Sequence, residues 1–152
     1  MGHCSPNVRV LLIWVALVFI LIYGECMAGD LVDALIWRES RGDPTAVSKK
    51  GARGLGQIMP VALKEYNARF KTTYTKDDLF DAALNRRITG WYAKVRTPEL
   101  LVGKGIAPTL EAIIAAYYTG ATGLKKGYKP PKGYVADVLK YMGAVSPEYT
   151  AE

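Results

Sequence analysis

From Gly29 onward the chain contains no cysteine and no histidine; Cys4, Cys26 and His3 are the only such residues it has. A thiol nucleophile, a Ser-His-Asp relay and a zinc site built from Cys or His are therefore excluded from that stretch. Chemistry there falls to carboxylates, lysines, tyrosines, amides or the backbone. Sustained strand alternation is missing too, as are an internal repeat and a second domain. No nucleic-acid motif accompanies the net charge of +6, and the basic residues are scattered. That charge is read as a means of staying in solution or, with equal weight, as a match to an anionic partner: nucleic acid, anionic lipid or an anionic wall polymer. No metal, no cofactor and no nucleic acid are expected.

Long apolar runs are also scarce. The one that exists spans Val10–Tyr23 and carries no charge. It falls short of the roughly 20 residues of a spanning helix and suits the core of a signal peptide. Arg9 precedes it, and Cys26-Met27-Ala28 offers a small-x-small cleavage site. Residues 1–28 are thus expected to be a signal peptide, or else an uncleaved anchor touching the inner membrane through residues 10–23. Both place the remainder outside the cytoplasm, in the periplasm or cell envelope. Removing residues 1–28 takes away Arg9 and Glu25, one charge of each sign, so the remainder stays at +6. The expected division is one folded domain over 29–143 and a frayed tail over 144–152.

What is present has helical period. Asp30 caps an expected helix running to Glu39, with Val32, Leu35, Ile36 and Glu39 on one stripe. Residues 41–57 read as an irregular, glycine-containing loop. Pro60 opens a second helix with Met59, Ala62, Leu63, Tyr66 and Phe70 inward. Asp77-Asp78 open a third, with Leu84, Ile88, Trp91, Tyr92 and Val95 inward. A second loop is expected over 97–108. A fourth helix carries Leu110, Ile113, Ile114, Tyr117 and Tyr118, and Gly120, Gly123 and Gly127 end it. After the stiff Lys129–Gly133 connector, a last helix presents Val135, Val138, Leu139 and Met142. The fold class is all-α, a compact domain of about five main helices.

Three segments carry chemistry. Glu39 places a carboxylate on the apolar side of a helix, with Arg38 and Arg41 on other faces. An unpaired, half-buried glutamate has a raised pKa, which suits a general acid for glycosidic cleavage. On this segment alone the blander reading weighs more: a glutamate at a frayed helix end, turned to solvent. Gly54-Leu55-Gly56-Gln57 adds a loop where the backbone can come close to a ligand, followed by an amide that both donates and accepts. Ala115-Ala116-Tyr117-Tyr118-Thr119-Gly120 adds small residues for close packing and tyrosines with a stacking face and a hydroxyl. Taken singly, the loop is a helix entry and the tyrosines are core.

Taken in order, these segments resemble a known family. Glu39-Ser40, then Pro44-x-Ala46-Val47-Ser48-x-x-Gly51-Ala52-x-Gly54-Leu55-Gly56-Gln57-Ile58-Met59-Pro60, is similar to the soluble lytic transglycosylase domain, which has the goose-type lysozyme fold. The similarity continues through Leu79-Phe80-Asp81, Asn85, Gly90-x-Tyr92, Ala116-Tyr117 and Gly120 to Tyr134-Val135-x-x-Val138-Leu139. It spans about residues 30–142.

The resemblance implies that Glu39 is the single catalytic acid. It implies that Ser48, Gln57, Met59, Tyr117 and Tyr134 line the sugar groove or position Glu39, with Tyr118 beside them. Tyr118 stands where the family usually has Asn, and Gly56 where many relatives have Met. The implied substrate is the glycan strand of peptidoglycan, cut between N-acetylmuramic acid and N-acetylglucosamine to leave a 1,6-anhydro end. A hydrolytic muramidase and a non-catalytic wall-binding or assembly module are the alternatives. Wall remodelling and service to a secretion, conjugation or phage apparatus all fit.

Overall fold

The computed structural model describes residues 30–143. The apolar run over residues 10–23, its proposed cleavage site and the expected tail over 144–152 lie outside them. Among the described residues no helix is long and apolar enough to cross a membrane.

The elements are helical throughout. They are α1 (Leu31–Ser40), α2 (Pro60–Phe70), a 3-10 turn (Asp78–Phe80), α3 (Ala82–Trp91), a π-helical segment (Tyr92–Arg96), α4 (Thr97–Val102), α5 (Leu110–Thr119), α6 (Ala121–Lys125) and α7 (Tyr134–Tyr141). The all-α expectation holds. Asp30 caps α1 by accepting from the Val32 N–H at 3.3 Å, satisfying one of the free amides at the helix start. The helix ends at Arg41, which is left-handed at φ 59° and returns its N–H to the Trp37 carbonyl. Ala34 and Leu35 are fully buried in a cluster with Ile114, Tyr134 and Val138, so α1 packs on α5 and α7. A second cluster joins Ile58, Leu63 and Tyr66 to Leu84 and Ile88.

Several sequence expectations need correction. Asp77-Asp78 do not open the third helix. Asp81 does, accepting from the Leu84 N–H at 2.7 Å. Asp78 instead holds Thr75, and Asp77 pairs with Arg53 at 2.8 Å. The loop expected over 97–108 begins only after Val102, because the chain stays helical through Pro98. The π turn explains this. The Thr97 N–H bonds back five residues to the Tyr92 carbonyl. Proline then arrives at the first turn after the widened ladder, where a missing N–H is tolerated. The same extra residue shifts the helical phase. Ala93 becomes fully buried and Val95, expected inward, is exposed. Phe70 is likewise exposed, although its ring packs against Tyr66 and Trp91. Gly120 does end α5, but Gly123 lies within α6, packed against Tyr128.

The 41–57 loop is more regular than its sequence implies. Arg53 forms antiparallel bridges with both Val47 and Ile58. Its glycines fit against α3. A Cβ on Gly54 would stand 2.2 Å from the Asn85 amide nitrogen, and one on Gly56 only 1.9 Å from the Thr89 hydroxyl oxygen. Asn85 is fully buried and pins this loop. Its amide donates to the carbonyls of Arg53 (2.9 Å) and Leu79 (2.8 Å), and its oxygen accepts from the Gly56 N–H at 2.8 Å. Asn85→Ala strands two buried backbone groups, the Leu79 carbonyl and the Gly56 N–H, each worth about 1–3 kcal/mol when left unpaired, while the Arg53 carbonyl keeps the Ile58 N–H. The expected loss is about 2 kcal/mol or more, read by urea denaturation; a loss below about 1 kcal/mol would show that the loop holds without it.

Candidate active site

Glu39 sits in the last turn of α1, half-buried. It shares a cleft of about 340 Å3 with Ser48, Gln57, Met59, Tyr117 and Tyr118. Lys49 and Lys50 complete its charged lining, so Glu39 is the one carboxylate among the lining residues. Four elements meet here: the end of α1, the 44–57 loop, the start of α2 and the end of α5. Tyr134, buried at the start of α7, reaches the carboxylate from below, and its hydroxyl donates to Glu39 Oε1.

The glutamate is therefore not unpaired, as its sequence position implied. Burial still dominates and raises its pKa above the ordinary carboxylate value. The Tyr134 hydrogen bond and the Arg38 charge work the other way without cancelling it. Arg38 lies nearer than its helical face implied. Its guanidinium rests over the Tyr134 ring at 4.9 Å and its Nε stands 3.1 Å from Asp137. Burial and the neighbouring Glu39 charge push both Tyr134 and Tyr117 upward, so both phenols remain protonated donors.

The other residues hold roles that residue type alone did not reveal. The Gln57 amide nitrogen donates to the carbonyls of Ala46 (3.2 Å) and Gly54 (3.1 Å). Only its oxygen remains for a ligand. Gln57 is itself left-handed at φ 50°, which turns its side chain back over the loop. The Tyr117 hydroxyl donates to the Gly56 carbonyl at 2.8 Å, so this phenol braces the loop. The Ser48 hydroxyl accepts from the Ala52 N–H at 3.0 Å and closes a turn. Met59 precedes α2 and is partly exposed at the rim. Tyr118 is half-exposed and packs against the Tyr134 ring at 5.1 Å between centroids. It is the largest accessible aromatic face of the cleft lining.

Sequence reasoning gave no role to Ser40, Lys49, Lys50, Asn85 or Thr89. Ser40 donates to the Leu55 carbonyl at 2.7 Å and ties the loop to the end of α1 that carries Glu39. Asn85 carried a signal: a polar side chain beside Leu84 and three residues before Ile88, on a face otherwise apolar. Among the described residues no cluster of Cys, His, Asp and Glu is arranged to hold a metal ion.

An all-helical, lysozyme-like fold thus presents one half-buried acid in an open cleft. The chain matches the family model described as Transglycosylase SLT domain over residues 25–134, most of its length, and belongs to that family. Comparison with curated proteins and with solved structures finds no match. The family acts on peptidoglycan by lytic transglycosylase-type cleavage, which sets its substrate outside the cytoplasm.

A raised folded-state pKa has a thermodynamic consequence. Between its unfolded and folded pKa values, Glu39 binds more protons when folded, so its contribution to stability falls as pH rises. Glu39→Gln removes that penalty. The variant is expected to melt above the wild type at pH 7, with the difference shrinking at pH values below the ordinary carboxylate range. Equal melting temperatures at pH 7 would contradict the burial argument.

Proposed function

We propose that this chain is a lytic transglycosylase that cuts the β-1,4 bond between N-acetylmuramic acid and N-acetylglucosamine, with Glu39 as its single general acid and base. The observation that carries the reading is the cleft itself: one carboxylate, with a raised pKa, among two lysines, one amide and two phenols. Residues 1–28 would direct export or anchor the chain, and residues 29–143 would form the catalytic domain.

A two-carboxylate glycosidase needs a second acid about 5–9.5 Å from the first, either as nucleophile or to activate water. Asp33 is held by Arg86, and Asp43 is fully exposed and tied to Thr45. Neither lines the cleft. The nucleophile then has to come from the substrate. Glu39 protonates the glycosidic oxygen as the bond to the muramyl C1 breaks. The muramyl N-acetyl group stabilises the positive charge that develops. The C6 hydroxyl of the same sugar attacks C1, and its proton passes to the Glu39 carboxylate. The 1,6-anhydro ring closes, the enzyme regains its proton, and water takes no part.

The tyrosine and the acid divide this work. Tyr134 donates to Oε1, leaving Oε2 to exchange the proton with substrate. Gln57 Oε1 can accept from a sugar hydroxyl or acetamido N–H. Tyr118 offers a ring face where an asparagine would offer an amide, so stacking takes the place of a hydrogen bond in holding the sugar.

Removing the transferable proton with Glu39→Gln is expected to lower turnover by at least about 10⁴-fold, the upper end for one acid–base group, since one residue serves in both steps. Mass spectrometry of digested peptidoglycan supplies the product. Anhydro ends from the wild type and none from the variant support the reading. Reducing ends, each one water heavier, would identify a hydrolase instead, and full activity of the variant would remove Glu39 from the mechanism.

Tyr134→Phe tests the second residue. It removes the hydrogen bond that favours the carboxylate, so the Glu39 pKa moves further up. The alkaline limb of the pH–activity profile is expected to move to higher pH while the maximal rate falls. An unmoved limb would show that Tyr134 does not tune the acid.

A further inference from the structure

The basic residues are less scattered than they look. Between Glu111 and Asp137 the sequence holds Lys125, Lys126, Lys129 and Lys132 and no acid. Lys129 and Lys132 line a second cavity of about 760 Å3, more than twice the size of the first. Its α5 wall is formed by Glu111, Ala112 and Ala115, and its far end by Tyr134. The volume falls in the range of about 300–1,000 Å3 that holds compact ligands.

This groove adjoins the catalytic cleft through one aromatic pair. Tyr134 lines the groove, donates to Glu39 and packs on Tyr118, which lines the cleft. Glu111, Ala115 and Tyr118 follow helical spacing, so one face of α5 runs from the groove to the cleft.

The chemistry of the substrate says what must lie near this junction. In the proposed reaction C1 of the muramyl sugar is brought to Glu39. The lactyl group that bears the peptide stem is attached at C3 of that ring. The stem therefore leaves the sugar within a ring's width of the acid.

We propose that the groove binds the acidic peptide stem of the muramyl residue being cut. The inference rests on the transglycosylase reading and adds a recognition site to it. A stem alternates small alanine side chains with carboxylates and carries an amine on its third residue. Ala112 and Ala115 match the small side chains, Lys129 and Lys132 the carboxylates, and Glu111 the amine. The groove selects and orients the substrate, and the chemistry stays at Glu39.

Two readouts on the full chain test this. The first is an amide NMR titration with a free lactyl-tetrapeptide stem, which needs no turnover. Shifts are expected at Ala112, Ala115 and Val135, with affinity about five-fold weaker in the Lys129→Ser/Lys132→Ser variant, the scale of two exposed ion pairs. The second compares turnover of stem-bearing glycan with glycan stripped of its stems by an amidase. The wild type is expected to prefer the stem-bearing strand, and the double variant to lose about five-fold of that preference. Shifts absent from the groove, unchanged affinity in the variant, or an equal loss on both glycans would overturn the proposal; the last would make the groove a sugar subsite. If the wild type cuts neither glycan, the transglycosylase reading fails, while the titration still decides the groove.

Discussion

The buried carboxamide of Asn85 is the constraint on which the cleft depends. It joins α3 to three backbone groups, those of Arg53, Leu79 and Gly56, in a place that excludes water. An amide is the side chain that can donate twice and accept from a single position. Its partners require the loop backbone to come close to α3, and the absence of a Cβ at Gly54 and Gly56 makes room. Thr89, one turn on, donates to the Asn85 carbonyl and packs where a Gly56 side chain would stand. The loop so fixed receives Ser40 from the end of α1 and Tyr117 from α5. Three helices that share little sequence proximity are thereby registered around Glu39.

Registration alone does not make an acid. Glu39 experiences three opposing influences, and their ranking decides its state. Loss of water raises its pKa; the Tyr134 hydroxyl and the Arg38 charge lower it. Burial wins, and Asp137 offers a reason why Arg38 does not reverse the outcome. At 3.1 Å from Arg38 Nε, its carboxylate offsets much of the guanidinium's field. Arg38 still lies over the Tyr134 ring, where its contact with the π face helps hold the phenol toward Glu39. The same arginine can thus steady the acid's partner without strongly favouring the acid's ionisation.

Periodicity made α1, α2, α5 and α7 legible, because each buries one stripe against the core, and Asp30 and Pro60 open α1 and α2 where the sequence set them. It failed where a local device changed the period. The π turn at Tyr92–Arg96 inserts a residue into the helical phase, and nothing in the composition of YAKVR announces it. Asp77-Asp78 look like a helix start, but Asp81 lies nearer the apolar stripe and takes the cap. In the cleft, the order of motifs placed Glu39, Ser48, Gln57, Met59, Tyr117 and Tyr118 around one space. The use of each polar atom was not legible. Hydrogen bonds across 61 residues, from Tyr117 to Gly56, and across 95, from Tyr134 to Glu39, depend on how helices pack and leave no local pattern.

The distribution of those polar atoms bears on how a glycan is held. Gln57 has committed both amide protons to its own loop, and the Tyr117 and Ser48 hydroxyls are engaged with backbone groups. These residues build a rigid wall, whose fixed dipoles need no rearrangement when substrate arrives. On the proposed reading, recognition through them runs by acceptance at Gln57 Oε1 and by donation from Ser48, whose hydroxyl accepts from the Ala52 N–H and keeps its own proton free. A sugar presents hydroxyls that both donate and accept, so such a wall suits it. The neutral donors left in the lining are the Ser48 hydroxyl, whose oxygen accepts from the Ala52 N–H while its proton stays uncommitted, and the Tyr118 hydroxyl. On the proposed reading, either hydroxyl could serve an acetamido carbonyl, as could the ammonium groups of Lys49 and Lys50, which line the same cleft. An ammonium reaches farther than an amide on a flexible stem and tolerates more than one sugar position. On the proposed reading, Tyr118 with Lys49 and Lys50 would therefore grip a sugar ring by stacking and charge, while Ser48 and Gln57 supply one fixed donor and one fixed acceptor.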